Sequence, residues 1–277
     1  MLRFRAVERL DSAPLIQTDA NSQARIETRA AAGQISWTGP LLLLVARSAL
    51  LIASQGLMAG ILWMRGSASP WHEAGYWWNI YGTLVDVGCL AGMAFFLRRE
   101  GLRLRDLLGP IRLRHGRDLF LGLGYFVLVF PLFVVSGYLA QRWLYGAAGG
   151  NPGDYVFAPH TMPLWALVYS LSVWWMIWSP TEEATYQAYV MPRLRALTGH
   201  TWLAFVLVAV WWAAQHAALP FVPDARFVLF RLLAFLPGAA ALMAIYWRTR
   251  RLAPVVIAHW PMDIAGALMT GVLANLR

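Results

Sequence analysis

The chain has 277 residues, of which 59% are apolar and 13% charged, about half the charged share of an ordinary soluble protein. So few charges cannot cover a soluble surface, and one cysteine cannot build a disulfide framework, which excludes a disordered chain, a disulfide-stapled secreted module and an ordinary cytosolic enzyme. The net charge of +9 is carried by arginine without any lysine; the arginines fall between apolar runs, not along one solvated face, so they read as topology signals and no nucleic-acid partner is expected.

Residues 1–39 are polar and hold Arg3, Arg5, Arg9, Arg25 and Arg29. With no apolar core behind the first arginines they are expected to form a cytoplasmic N-terminal tail with a short surface helix, not a secretory signal. Apolar runs follow at 41–63, 77–97, 119–138, 164–178, 202–222, 227–247 and 253–273, most of them near the length that crosses a hydrocarbon core of about 30 Å. The segment 98–118 between the second and third runs holds seven arginines and 248–251 holds three, against one each in 64–76 and 219–226. Seven spans with a cytoplasmic N-terminus satisfy that bias. The expected fold is all-α: a polytopic transmembrane helix bundle of about seven spans, formed by residues 40–277 as one domain. Cys89 lies inside an apolar run and reads as inert packing.

Ionisable groups inside hydrocarbon need a partner or a function. Arg47, Asp86 and Arg231 each stand alone in a run, which suits an interhelical ion pair or a snorkelling side chain. Glu182 and Glu183 are adjacent, behind Trp174, Trp175 and Trp178. Two neighbouring carboxylates repel, and one poised in this way can take a proton from water and return it to a leaving group. The same residues would also suit a helix start capped by Thr181. His216 ends the fifth run's Trp211–Trp212–Ala213–Ala214–Gln215 stretch, where a hydrogen-bonded core histidine is the plainer reading. His259 and Asp263 are four apart and share a helix face across Pro261. If these groups converge, they make a polar cavity within the membrane, equipped to hydrolyse an amide; their donor types also admit zinc. Counted from one membrane face at a rise of about 1.5 Å per residue, however, His216 lies some 21 Å deep and His259 some 9 Å.

These residues resemble the CPBP family, membrane-embedded proteases related to the CAAX-processing endopeptidase Rce1 and called Abi proteins in bacteria. The family pattern Glu-Glu-x-x-x-Arg, Phe-x-x-x-His and His-x-x-x-Asn/Asp appears here, in order, as Glu182–Glu183–Ala184–Thr185–Tyr186–Gln187, Trp212 to His216 and His259 to Asp263. Residues 191–194 after the first motif, 246–254 before the third and 101–109 in the basic segment are similar too, so the resemblance spans about 98–273. It implies a helical bundle whose catalytic cavity opens to the cytoplasm and laterally to lipid. It also implies Glu182 as the water-activating base, His216 as a positioner of that water, His259 and Asp263 on the oxyanion side, and Glu183 as the group that orients the site. A metal-free mechanism is expected; a metal, if bound, would take Glu182, His216, His259 and Asp263. Gln187 stands where the motif has arginine, removing a cation that could pair with Glu183. The expected function is therefore intramembrane endopeptidase action on a membrane-associated peptide or protein, in a bacterial inner membrane. A non-catalytic scaffold of the same fold and a proton-coupled transporter are the alternatives.

Overall fold

The computed structural model describes residues 19–108, 116–146, 150–157 and 162–271, and most of them are helical. The arginines of the first eighteen residues lie outside this range. A short helix, α1 (Gln23–Ala31), opens the described chain; the Ser22 side chain accepts from the Arg25 N–H at its start, and Ile26 is its one buried side chain. Three long apolar helices follow with a short one between them: α2 (Thr38–Met64), α3 (Pro70–Gly75), α4 (Trp78–Arg99) and α5 (Arg117–Tyr145).

The next helical run is the centre of the bundle. It passes through α6 (Leu164–Tyr169), a π-helical stretch at Ser170–Trp174, α7 (Trp175–Glu183), a second π-helical stretch at Ala184–Val190 and α8 (Met191–Thr198). All residues from Thr181 to Leu194 are buried, as suits a helix with neighbours on every side. Gly199 then adopts a left-handed conformation and starts α9 (Thr201–Gln215), followed by α10 (Ala225–Thr249) and α11 (Leu252–Gly271). Among the described residues the only sheet-like pairing is one isolated bridge between Ala218 and Phe221.

Five single helices are long and apolar enough to cross a membrane: α2, α4, α5, α10 and α11. The expected count of seven is not reached by that measure, for two local reasons. The fourth apolar run continues through the glutamates as helix to Thr198, but two π stretches divide it into short helices. The fifth does not reach 222: α9 ends at Gln215, about 22 Å long, and residues 217–224 form a non-helical turn. Close helix contacts hold the bundle together. At Gly122 of α5, an added Cβ would meet the Ile257 side chain and lie 2.9 Å from the Pro254 carbonyl of α11, so only glycine lets these helices approach.

The arginine-rich ends are stitched by buried polar contacts. Arg193 of α8 grips Glu100 with Nε and Nη2 at 2.8 and 2.7 Å, and Nη1 reaches Asn21 Oδ1 at 3.2 Å. Asn21 also donates to the Ala188 carbonyl, and Arg250 donates to the Asn21 carbonyl. Residues 19–31 therefore dock against the bundle beneath the central helix. Arg251 pairs with Asp118 across the start of α5.

Candidate active site

The two glutamates end α7 where the helix passes into its second π stretch, a distortion that recurs at functional sites. Thr181 does not cap a helix start; its hydroxyl donates to the Ile177 carbonyl within a continuing helix, so the helix-start alternative does not hold. Both carboxylates are fully buried, and they have different partners. Glu183 Oε1 accepts from His259 Nδ1 of α11 at 2.8 Å. Glu182 Oε2 faces the Arg47 guanidinium of α2 at 3.5 Å, and neither Glu182 oxygen has a hydrogen-bond donor. One donor atom each from Glu182, Glu183 and His259 lies within 4.8 Å of the others.

His259 is one turn before Asp263, and its Nε2 is 3.5 Å from Asp263 Oδ1. The other Asp263 oxygen accepts from the Ser179 hydroxyl of α7. Ser179, Glu183, His259 and Asp263 thus form one polar chain between α7 and α11. His216 sits outside it. Its Nδ1 donates to the Trp212 carbonyl at 3.0 Å, and its ring stacks on Phe235 with centroids 3.9 Å apart, leaving Nε2 free to accept.

Trp212 brings the two imidazoles together. Its ring lies 4.6 Å from that of His216 and 5.7 Å from that of His259. The depth mismatch expected from sequence is not realised, since both imidazoles reach the Trp212 ring. His216, His259, Asp263, Trp212 and Arg231 share the wall of a largely apolar cavity of about 270 Å³. Val156, Phe157, Leu219 and Met269 also line it, which places it toward the arginine-poor ends of the helices, not the arginine-rich ends that the family resemblance implies for the opening. The glutamates are not on that wall; they lie behind His259 and Asp263.

The three residues read as solitary charges also find partners. Arg47 pairs with Asp86 at 2.9 Å, as an interhelical ion pair. Arg231 donates to the carbonyls of His216 and Leu219, both at 2.8 Å, pinning the turn after α9. Sequence reasoning passed over Ser179, Gln215 and the bridging role of Trp212. Ser179 and Gln215 each had a signal, being polar residues inside apolar runs next to a motif.

The donors that come together with metal-ligand spacing are Glu182, Glu183 and His259, a different set from the one the family resemblance implied. Three such donors with an open position suit zinc. The Arg47 guanidinium 3.5 Å from Glu182 would repel a dication there, so the fit is good in donor type and poor in charge.

Residues 163–265 match the family model described as Type II CAAX prenyl endopeptidase Rce1-like. The match bears out the family resemblance and covers all three motifs, over a shorter stretch than expected. No curated protein and no solved structure matches the chain.

Proposed function

With the Rce1-like match over residues 163–265 as the premise, we propose that this multi-pass membrane protein is an endopeptidase. It hydrolyses a peptide bond of a membrane-associated peptide or protein with a water activated by Glu182, without a metal. The carrying observation is the convergence of Glu182, Glu183 and His259, one donor atom of each lying within 4.8 Å of the others. Both Glu182 oxygens are buried there with no donor. Buried acceptors of this kind are costly unless a water or substrate satisfies them.

In this reading a water beside these groups gives its proton to Glu182 as its oxygen attacks the scissile carbonyl. The carbonyl enters from the cavity past His259 and Asp263 to meet that water. Glu183 accepts from His259 Nδ1 and so fixes that ring, while Ser179 fixes Asp263. Asp263, carrying a proton in this reading, donates to the developing oxyanion. Glu182 then passes its proton to the leaving amine as the C–N bond breaks. His216 presents Nε2 from the opposite side of Trp212 and positions water or substrate. The apolar, tryptophan-lined cavity suits an apolar substrate segment. The arginine distribution supports a cytoplasmic N-terminus, in a membrane proposed to be the bacterial inner membrane.

The test is cleavage of a library of quenched apolar peptides by protein reconstituted in liposomes, with fragments read by mass spectrometry. Glu182→Ala and His216→Ala each abolish cleavage while still inserting; cleavage retained in both refutes the assignment. Activity that survives a chelator, with no stoichiometric metal in elemental analysis, separates the glutamate mechanism from a zinc one. A second reading, a non-catalytic scaffold that binds a partner in the same cavity, rests on Gln187. It is buried beside Glu183 where the motif has arginine, and it brings no charge there.

A further inference from the structure

Four helices meet at one guanidinium. Arg47 of α2 is fully buried. Its Nε donates to Gln215 of α9 at 2.7 Å, and its Nη1 to Asp86 of α4 at 2.9 Å. Its carbon centre lies over the Trp178 ring of α7 at 4.2 Å. The remaining nitrogen, Nη2, has no hydrogen-bond acceptor and faces Glu182 Oε2 at 3.5 Å. Among the described residues Arg47 is the one arginine ion-paired with either glutamate; Glu183 is paired with His259 instead.

That geometry is more than a tie between α2 and α4. An arginine held by Asp86, Gln215 and Trp178 has lost its rotamer freedom before it meets Glu182, so it acts as a preorganised charge. A separation of 3.5 Å gives strong attraction in a dry interior but exceeds ordinary charge-assisted hydrogen-bond length. The cation can therefore orient the carboxylate and leave its lone pairs open to a water. Gln187, the neutral residue one turn along, brings no charge to either glutamate.

We propose that Arg47 is a positioning residue for Glu182: it aims the carboxylate toward Glu183 and His259 and supplies the cation that Gln187 does not. This rests on the reading of Glu182 as the base.

The test separates positioning from mere support. Replacing both members of a buried ion pair by apolar residues of similar volume commonly preserves stability, so the double variant Arg47→Met/Asp86→Leu is compared with wild type in proteoliposomes, using the quenched apolar peptides. The expected result is a melting temperature within a few degrees of wild type, kcat lowered about 100-fold and KM within about threefold. A double variant with wild-type kcat overturns the inference. If it fails to fold, Arg47→Lys decides. A point charge without the planar fork is expected to lower kcat about tenfold at unchanged KM, with a fall of a few degrees in melting temperature, and wild-type kcat in that variant overturns the inference. A wild-type protein that cleaves nothing refutes the endopeptidase reading alone. The contact is then read from the melting shifts of Arg47→Met, Glu182→Gln and the double variant. Non-additive shifts support the Arg47–Glu182 coupling, and additive shifts overturn it.

Discussion

Replacing Arg193 by methionine should loosen the arginine-rich end of the bundle by an amount the structure allows to be worked out. The guanidinium grips both Glu100 oxygens, reaches Asn21 Oδ1 and the Tyr189 carbonyl at 3.2 Å each, and lies over the Tyr189 ring at 4.1 Å. Methionine refills much of the apolar stem and removes every donor. Breaking a buried ion pair from one side costs about 3–5 kcal/mol. Glu100 keeps a weaker cation, Arg29 at 3.8 Å, and sits at the edge of burial, so the lower end of about 3 kcal/mol applies. For a chain of this size that is a fall of roughly 6–12 °C in melting temperature. Arg193→Lys keeps the charge without the two-pronged grip and should lose about half as much. Thermal unfolding in detergent measures both, and trypsin cleavage at Arg25 and Arg29 should quicken in the methionine variant as α1 loses its anchor. A methionine variant melting within about 2 °C of wild type would refute the assignment of this pair as a latch of the arginine-rich end.

Three further outcomes follow from other contacts. Ser179→Ala frees one Asp263 oxygen and should lower kcat about tenfold while costing only about 1 kcal/mol of stability, so kinetics and melting curves together identify it; an unchanged kcat would remove Ser179 from the site. Gly122→Ala forces a methyl group against Ile257 and the Pro254 carbonyl and should destabilise by about 1–3 kcal/mol, measurable as a lower melting temperature. Gln187→Arg, with Arg47 in place, should leave kcat within about threefold of wild type, because the glutamate pair already has its cation; a large gain in cleavage rate would show that Arg47 does not supply it and would favour the scaffold reading of the natural sequence.

Much of this protein was legible before folding. Scarce charge and long apolar runs identify a helical membrane protein, because the bilayer leaves a chain few other ways to satisfy its backbone. The starts of α2, α4, α10 and α11 lie within three residues of the predicted runs. The ordered spacing of Glu182–Glu183, His216 and His259–Asp263 marked the motif-bearing side chains, since residues four apart share a helix face wherever the helix goes.

Tertiary structure decided the rest. Periodicity cannot register a π turn, so the π stretches on either side of α7 were invisible, and so was the early end of α9 at Gln215. The sequence named two acids and two imidazoles without saying which acid meets which base. Packing assigned Glu183 to His259 and Glu182 to Arg47, a residue more than a hundred positions away and outside the family-matched segment. Partnerships of this kind depend on how deep each helix sits and which face it turns inward, and those are properties of the assembled bundle, not of any one stretch of chain.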